Sequence, residues 1–151
     1  MKQDVSGFLI DGSIIVIGAV CMLSPVALIW SGFYSHTKRF TPLCHYALGS
    51  VLGLAPIAGW LAVSPLHLGY PAVLLFFGVT LWVAGFDILY ACQDAEFDKR
   101  QGLFSLPARQ GVPRALFTAA LTHACTAVLF PMFGSFSTKH YLPQKHAGWV
   151  I

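Results

Sequence analysis

The chain has 151 residues, of which 56% are hydrophobic and only 10% charged, with a formal net charge of +3 and a mean hydropathy of +0.69. Such values lie well outside the range of soluble globular domains and leave an integral membrane protein. No window alternates as a membrane barrel strand would, so the expected fold class is all-α, a polytopic helix bundle in which each helix satisfies its own backbone hydrogen bonds in lipid. A lipid bilayer is the expected surrounding, and no nucleic-acid partner is expected.

The amino terminus, MKQDVSGFLIDG, mixes acids with one Lys and leads into an apolar run too long for a signal-peptide core, so the first span is expected to stay in the mature chain. Four uncharged runs follow: Gly12–Ser35, Thr41–His67, Leu68–Phe86 and Ala115–Thr138. Each reaches or approaches the roughly 20 residues that cross a hydrocarbon core. The spans are placed at about 12–35, 43–63, 68–91 and 113–135, in a single domain that occupies residues 1–151. Between the first two stands a turn with Lys38 and Arg39; after the third come Lys99, Arg100, Arg109 and Arg114; the VSPLHLGYP connection has no Lys or Arg. Basic residues collect in cytoplasmic loops, so both basic segments are expected on the cytoplasmic side of an inner membrane. Lys139 and Lys145 in the tail depart from that bias.

Within the second span Gly49, Gly53 and Gly59 read as a surface for close helix packing. Cys21, Cys44, Cys92 and Cys125 form no CxxC pair and read as small buried apolar residues. His45 and His123 lie inside apolar runs, where a helix-to-helix hydrogen bond is the expected role.

The third span runs into FDILYACQDAEFDKRQGLFSLPARQG, which holds four of the six acidic residues: Asp87, Asp94, Glu96 and Asp98. On one continuous helix, at about 100° per residue, Asp87, Tyr90, Asp94 and Asp98 would fall within about 80° of one another. Asp94 and Asp98, one turn apart, repel each other unless a cation lies between them. Hard carboxylate oxygens suit Mg²⁺, which keeps several waters and commonly binds through one or two carboxylates together with a substrate phosphate. A solvated loop pairing with Lys99 and Arg100 is the plain alternative. Asp87 speaks against it, because an ionisable group within a span is costly unless it lines a cavity.

The pattern D-x-x-Y-A-x-x-D-x-x-x-D, carried by Asp87, Tyr90, Ala91, Asp94 and Asp98 and followed by GLFSLPAR, resembles the second aspartate-rich motif of UbiA-type membrane prenyltransferases. FYSHTKRFT similarly resembles the family's Y-x-x-x-K-R segment through Tyr34, Lys38 and Arg39. In wording the chain looks closest to the 4-hydroxybenzoate polyprenyltransferase-like branch of menaquinone and ubiquinone synthesis. The resemblance implies part of a nine-helix bundle that transfers a polyprenyl group from a polyprenyl diphosphate to an aromatic acid. It also implies Mg²⁺ as cofactor, held by Asp94 and Asp98. Lys38, Arg39 and Arg109 would meet the diphosphate, while Asp87 and Tyr90, with Lys38 and Arg39, would serve the reaction. The family's earlier N-D-x-x-D-x-x-x-D motif has no counterpart here, since Asp4 and Asp11 do not form it. The chain is therefore expected to be a fragment, inactive alone, whose missing motif is supplied by a separate chain or was lost from the gene model. The alternative is a non-catalytic membrane protein that binds Mg²⁺ or a lipid diphosphate.

Overall fold

A computed structural model describes residues 5–63 and 68–140. Six helices follow in order: α1 (Val5–Thr37), α2 (Cys44–Val63), α3 (Tyr70–Ala91), α4 (Ala95–Arg100), α5 (Leu106–Gln110) and α6 (Val112–His140). No strand occurs among the described residues. Among the described residues, three segments are long and apolar enough to cross a membrane: Cys44–Ala62, Tyr70–Ala91 and Val112–Ser137. α1 is longer than any of them. Residues 64–67 of the VSPLHLGYP connection, and Lys145, lie outside the described residues.

The long helices pack in the order α1, α2, α3, α6, with α3 in the middle. Small residues decide where they touch. A Cβ at Gly53 would stand 2.5 Å from Thr80 Oγ1 and 2.9 Å from the Phe76 carbonyl, and one at Gly49 would run into the Thr80 carbonyl. On the other side of α3, Gly78 makes room for the Phe130 ring and Gly85 for the His123 imidazole. Such close approach is how helices associate where lipid removes the hydrophobic driving force. Large apolar side chains, including Met22, Leu28, Ile29 and Phe117, point outward instead. Gly59 was expected to join the close-packing surface, but a Cβ there meets nothing within 4 Å among the described residues. Gly49→Ala should therefore cost about 2 kcal/mol through overpacking against rigid backbone, whereas Gly59→Ala should stay within about 0.5 kcal/mol. Reversible unfolding in detergent micelles checks the contrast.

The cysteines divide: Cys44 is buried and Cys92 half-buried, but Cys21 and Cys125 are exposed on the outer faces of α1 and α6. The expectation of four buried thiols fails for these two because an apolar span has a lipid face as well as a packed one.

α3 ends at Ala91, where the Cys92 N–H is shared between the carbonyls of Ile88 and Leu89. Gln93 and Asp94 then bond three residues back, to Tyr90 and Ala91, in a tightened turn. A new helix, α4, starts after Asp94. The single stripe expected over 87–98 is thus broken, which separates Asp87 and Tyr90 on α3 from Asp94 and Asp98 on α4. The order of charges suits a separate helix: Glu96 and Asp98 lie at its positive end, Lys99 and Arg100 at its negative end. α4 closes at Gly102, whose φ of 67° is left-handed. The N–H of Gly102 returns to Lys99 and that of Leu103 to Asp98, the Schellman pattern that favours glycine.

Ile88, Leu106, Ala115 and Ala119 form a buried cluster, with Tyr46 and Cys92 packed on it. This apolar floor holds α3, α5 and α6 together at the end of the bundle where the acidic segment lies.

Candidate functional site at the mouth of the bundle

The corner between α1 and α2 is tight. The N–H groups of Phe40 and Thr41 return to the Thr37 carbonyl, and the Thr41 hydroxyl accepts the Leu43 N–H at 3.2 Å before α2 begins. This presents Lys38 and Arg39 at the helix end. Lys38 Nζ reaches Asp98 Oδ1 at 3.0 Å, with side-chain exposures of 34% and 1%. The Phe104 N–H donates to the Lys38 carbonyl at 2.8 Å. One residue therefore binds the α4–α5 segment twice, by charge and by backbone.

Asp98 Oδ2 is buried with no hydrogen-bond partner among the described residues, and Ser105 Oγ is in the same state. Asp94, one helical turn earlier, is exposed, and its carbonyl accepts the Asp98 N–H at 2.8 Å. Arg39 lines an open recess of about 480 Å³ together with Phe97, Gln101, Gly102 and Leu103. Arg109 lies elsewhere: its guanidinium carbon stands 3.5 Å from the centre of the Phe104 ring, a cation–π contact. Tyr90, in the last turn of α3, is 67% exposed. The structure thus brings Lys38 and Asp98 into contact, leaves Asp94 open beside them, and turns Arg109 onto an aromatic face.

Asp87 is the acid at the end of α3. Its Oδ2 lies 2.6 Å from His45 Nδ1, and its side chain is 26% exposed while the imidazole is 1% exposed. The Leu106 N–H donates to the other ring nitrogen, His45 Nε2, at 3.2 Å. A nitrogen that accepts an N–H has its lone pair free, so the proton sits on Nδ1 and is donated to Asp87. Asp87 also lies within electrostatic reach of Tyr34, which draws the FYSHTKRFT segment to the same place. His45 joins two helices as expected of it. His123 does not: its Nδ1 donates to Ala119 of its own helix at 2.9 Å, and its Nε2 is buried without a partner among the described residues.

The part played by His45 had no local signal, since its partners lie 42 and 61 positions away. Ser105 stands in extended backbone, with a ψ of 153°, just before α5, which has Pro in its first turn.

Residues 6–143 match the model of the UbiA prenyltransferase family. The chain belongs to that family. A UbiA homolog from Aeropyrum pernix K1, solved in its apo form, superposes with a TM-score of 0.67 at 33% identity, over 85% of this chain and 55% of that one. Among curated relatives, the polyprenyl transferase yanG of Aspergillus niger is 36% identical over 97 residues, 62% of this chain and 29% of that protein. The polyprenyl transferase macG of Penicillium terrestre is 33% identical over 96 residues, 62% of this chain and 30% of that protein. This UbiA-family chain thus spans about a third or less of the fungal relatives it matches, and neither of them is named for an acceptor. It is an integral membrane protein with a UbiA-type helical fold.

Proposed function

We propose that this chain supplies the cytoplasmic diphosphate-binding mouth of a prenyltransferase that moves a polyprenyl group from a polyprenyl diphosphate to an aromatic acid such as 4-hydroxybenzoate, in quinone synthesis. The observation that carries the reading is the contact between Lys38 and Asp98, with Arg39 and Asp94 flanking it. Two segments far apart in sequence deliver a pair of cations and a pair of carboxylates to one edge of an apolar bundle. Both basic segments stand at that edge, which supports placing it on the cytoplasmic face of an inner membrane.

The residues fit a Mg²⁺ that arrives with its phosphate better than an ion held by protein alone. No group of three or more His, Cys, Asp or Glu side chains converges among the described residues. Two carboxylates one turn apart are the usual protein share of such a site, the rest coming from phosphate and water. Bound there, Mg²⁺ supplies charge neutralisation to the leaving diphosphate. In the reaction the allylic carbon–oxygen bond breaks, its electron pair leaves with the diphosphate, and a ring carbon of the acceptor bonds to the prenyl carbon and then loses its proton. Lys38 Nζ and the Arg39 guanidinium would take up the negative charge that develops on the leaving group, which lowers the barrier. Lys38 would exchange Asp98 for the diphosphate, and Asp98 with Asp94 would then hold the Mg²⁺.

The deciding experiment is calorimetric titration of the chain in lipid nanodiscs with farnesyl thiodiphosphate, with and without Mg²⁺, followed by product analysis with geranylgeranyl diphosphate and 4-hydroxybenzoate. Binding that needs Mg²⁺ is the expected result, and its absence would overturn the proposal. Transfer is expected when the family's earlier aspartate-rich motif is also present. Binding with no product under any reconstitution would favour the second reading, a non-catalytic diphosphate-binding protein.

A further inference from the structure

The imidazole of His45 is one of the largest fully buried side chains, yet it does not serve the apolar packing. It stands at the start of α2 and takes one hydrogen bond from each side: Nδ1–H goes to Asp87 on α3, and the Leu106 N–H at the start of α5 comes to Nε2. Both ring nitrogens are used, so burial leaves no polar atom of the ring unsatisfied. Asp87 is treated differently. One of its oxygens is held, while Oδ1 takes no hydrogen bond from the described residues and the side chain stays 26% exposed. A carboxylate placed only to stabilise the bundle would be expected to have both oxygens satisfied.

We propose that His45 is a positioning residue: it fixes the Asp87 carboxylate through one oxygen and locks that orientation to the 103–106 segment. The same segment is tied to Lys38 through the Phe104 N–H, and Asp98 accepts the Leu103 N–H. Through His45, the Lys38–Asp98 pair and Asp87 share one frame, although α3 and α4 are separate helices. Asp87 is thereby set to influence ligand binding at the mouth. The last step rests on the function proposed above; the positioning does not.

The two hydrogen bonds can be removed separately. His45→Asn places an amide N–H near the Nδ1 position and retains a donor for Asp87, whereas His45→Gln places a carbonyl near Nε2 and retains only the acceptor for Leu106. With selectively ¹⁵N-histidine-labelled chain in detergent micelles, the His45 ring is expected as the neutral Nδ1–H form, its Nδ1 shift changing on Asp87→Ala. Mg²⁺-dependent binding of farnesyl thiodiphosphate is expected to stay within twofold of wild type in His45→Asn and to fall at least tenfold in His45→Gln and Asp87→Ala, with similar thermal midpoints for the two His45 variants. An Nε2–H form, or no response of the ring to Asp87→Ala, would overturn the positioning role. So would equal losses of binding in the two His45 variants that simply follow their loss of stability. If the wild-type chain binds no thiodiphosphate, the proposed function fails, and the ring spectra still decide whether His45 holds Asp87.

Discussion

Lys38→Ala should cost this chain about 3 kcal/mol, the lower end of the range for breaking a buried ion pair, because it strands the Asp98 carboxylate in an apolar mouth. The asymmetry of the pair sets the size of the effect. Asp98 is 1% exposed and its second oxygen already lacks a partner among the described residues, whereas Lys38 is 34% exposed and can reach water. Asp98→Ala should therefore cost less than Lys38→Ala. The double variant should be more stable than Lys38→Ala alone, because no buried charge then remains uncompensated. A double-mutant cycle by reversible unfolding in mixed micelles measures this. Additive losses would mean that the two side chains do not interact in the folded chain.

Asp94→Asn should do the opposite: leave stability within about 0.5 kcal/mol, as for an exposed position without a partner, and weaken Mg²⁺-dependent diphosphate binding at least tenfold, or about 1.4 kcal/mol. Asp94 caps α4 through its backbone and makes no side-chain capping hydrogen bond. Its carboxylate is therefore free for a ligand in a way that the Asp98 carboxylate is not until Lys38 releases it. The two acids of one D-x-x-x-D pair are predicted to fail differently, Asp98 variants in folding and binding together, Asp94 variants in binding alone. Thermal unfolding and calorimetry on the same preparations separate the two. A stability loss in Asp94→Asn comparable to that of Asp98→Ala would contradict the division.

Residue type and spacing were sufficient for the membrane bundle and for its acidic mouth. Uncharged runs of about 20 residues, small residues four apart and turn glycines such as Gly102 and Gly111 act within one element, so they can be read without knowing what packs on what. The family could be read for the same reason, since both motifs are contiguous. Folding alone decided three matters. The acidic segment is two helices rather than one, with the tight turn at Gln93 and Asp94 between them. Lys38 is paired with Asp98, because the corner after α1 and the turn after α4 meet only in the packed bundle. And His45, one apolar-run histidine among several, became the link between Asp87 and Leu106, because hydrogen bonds across 42 and 61 positions depend on helix register, which no local pattern encodes.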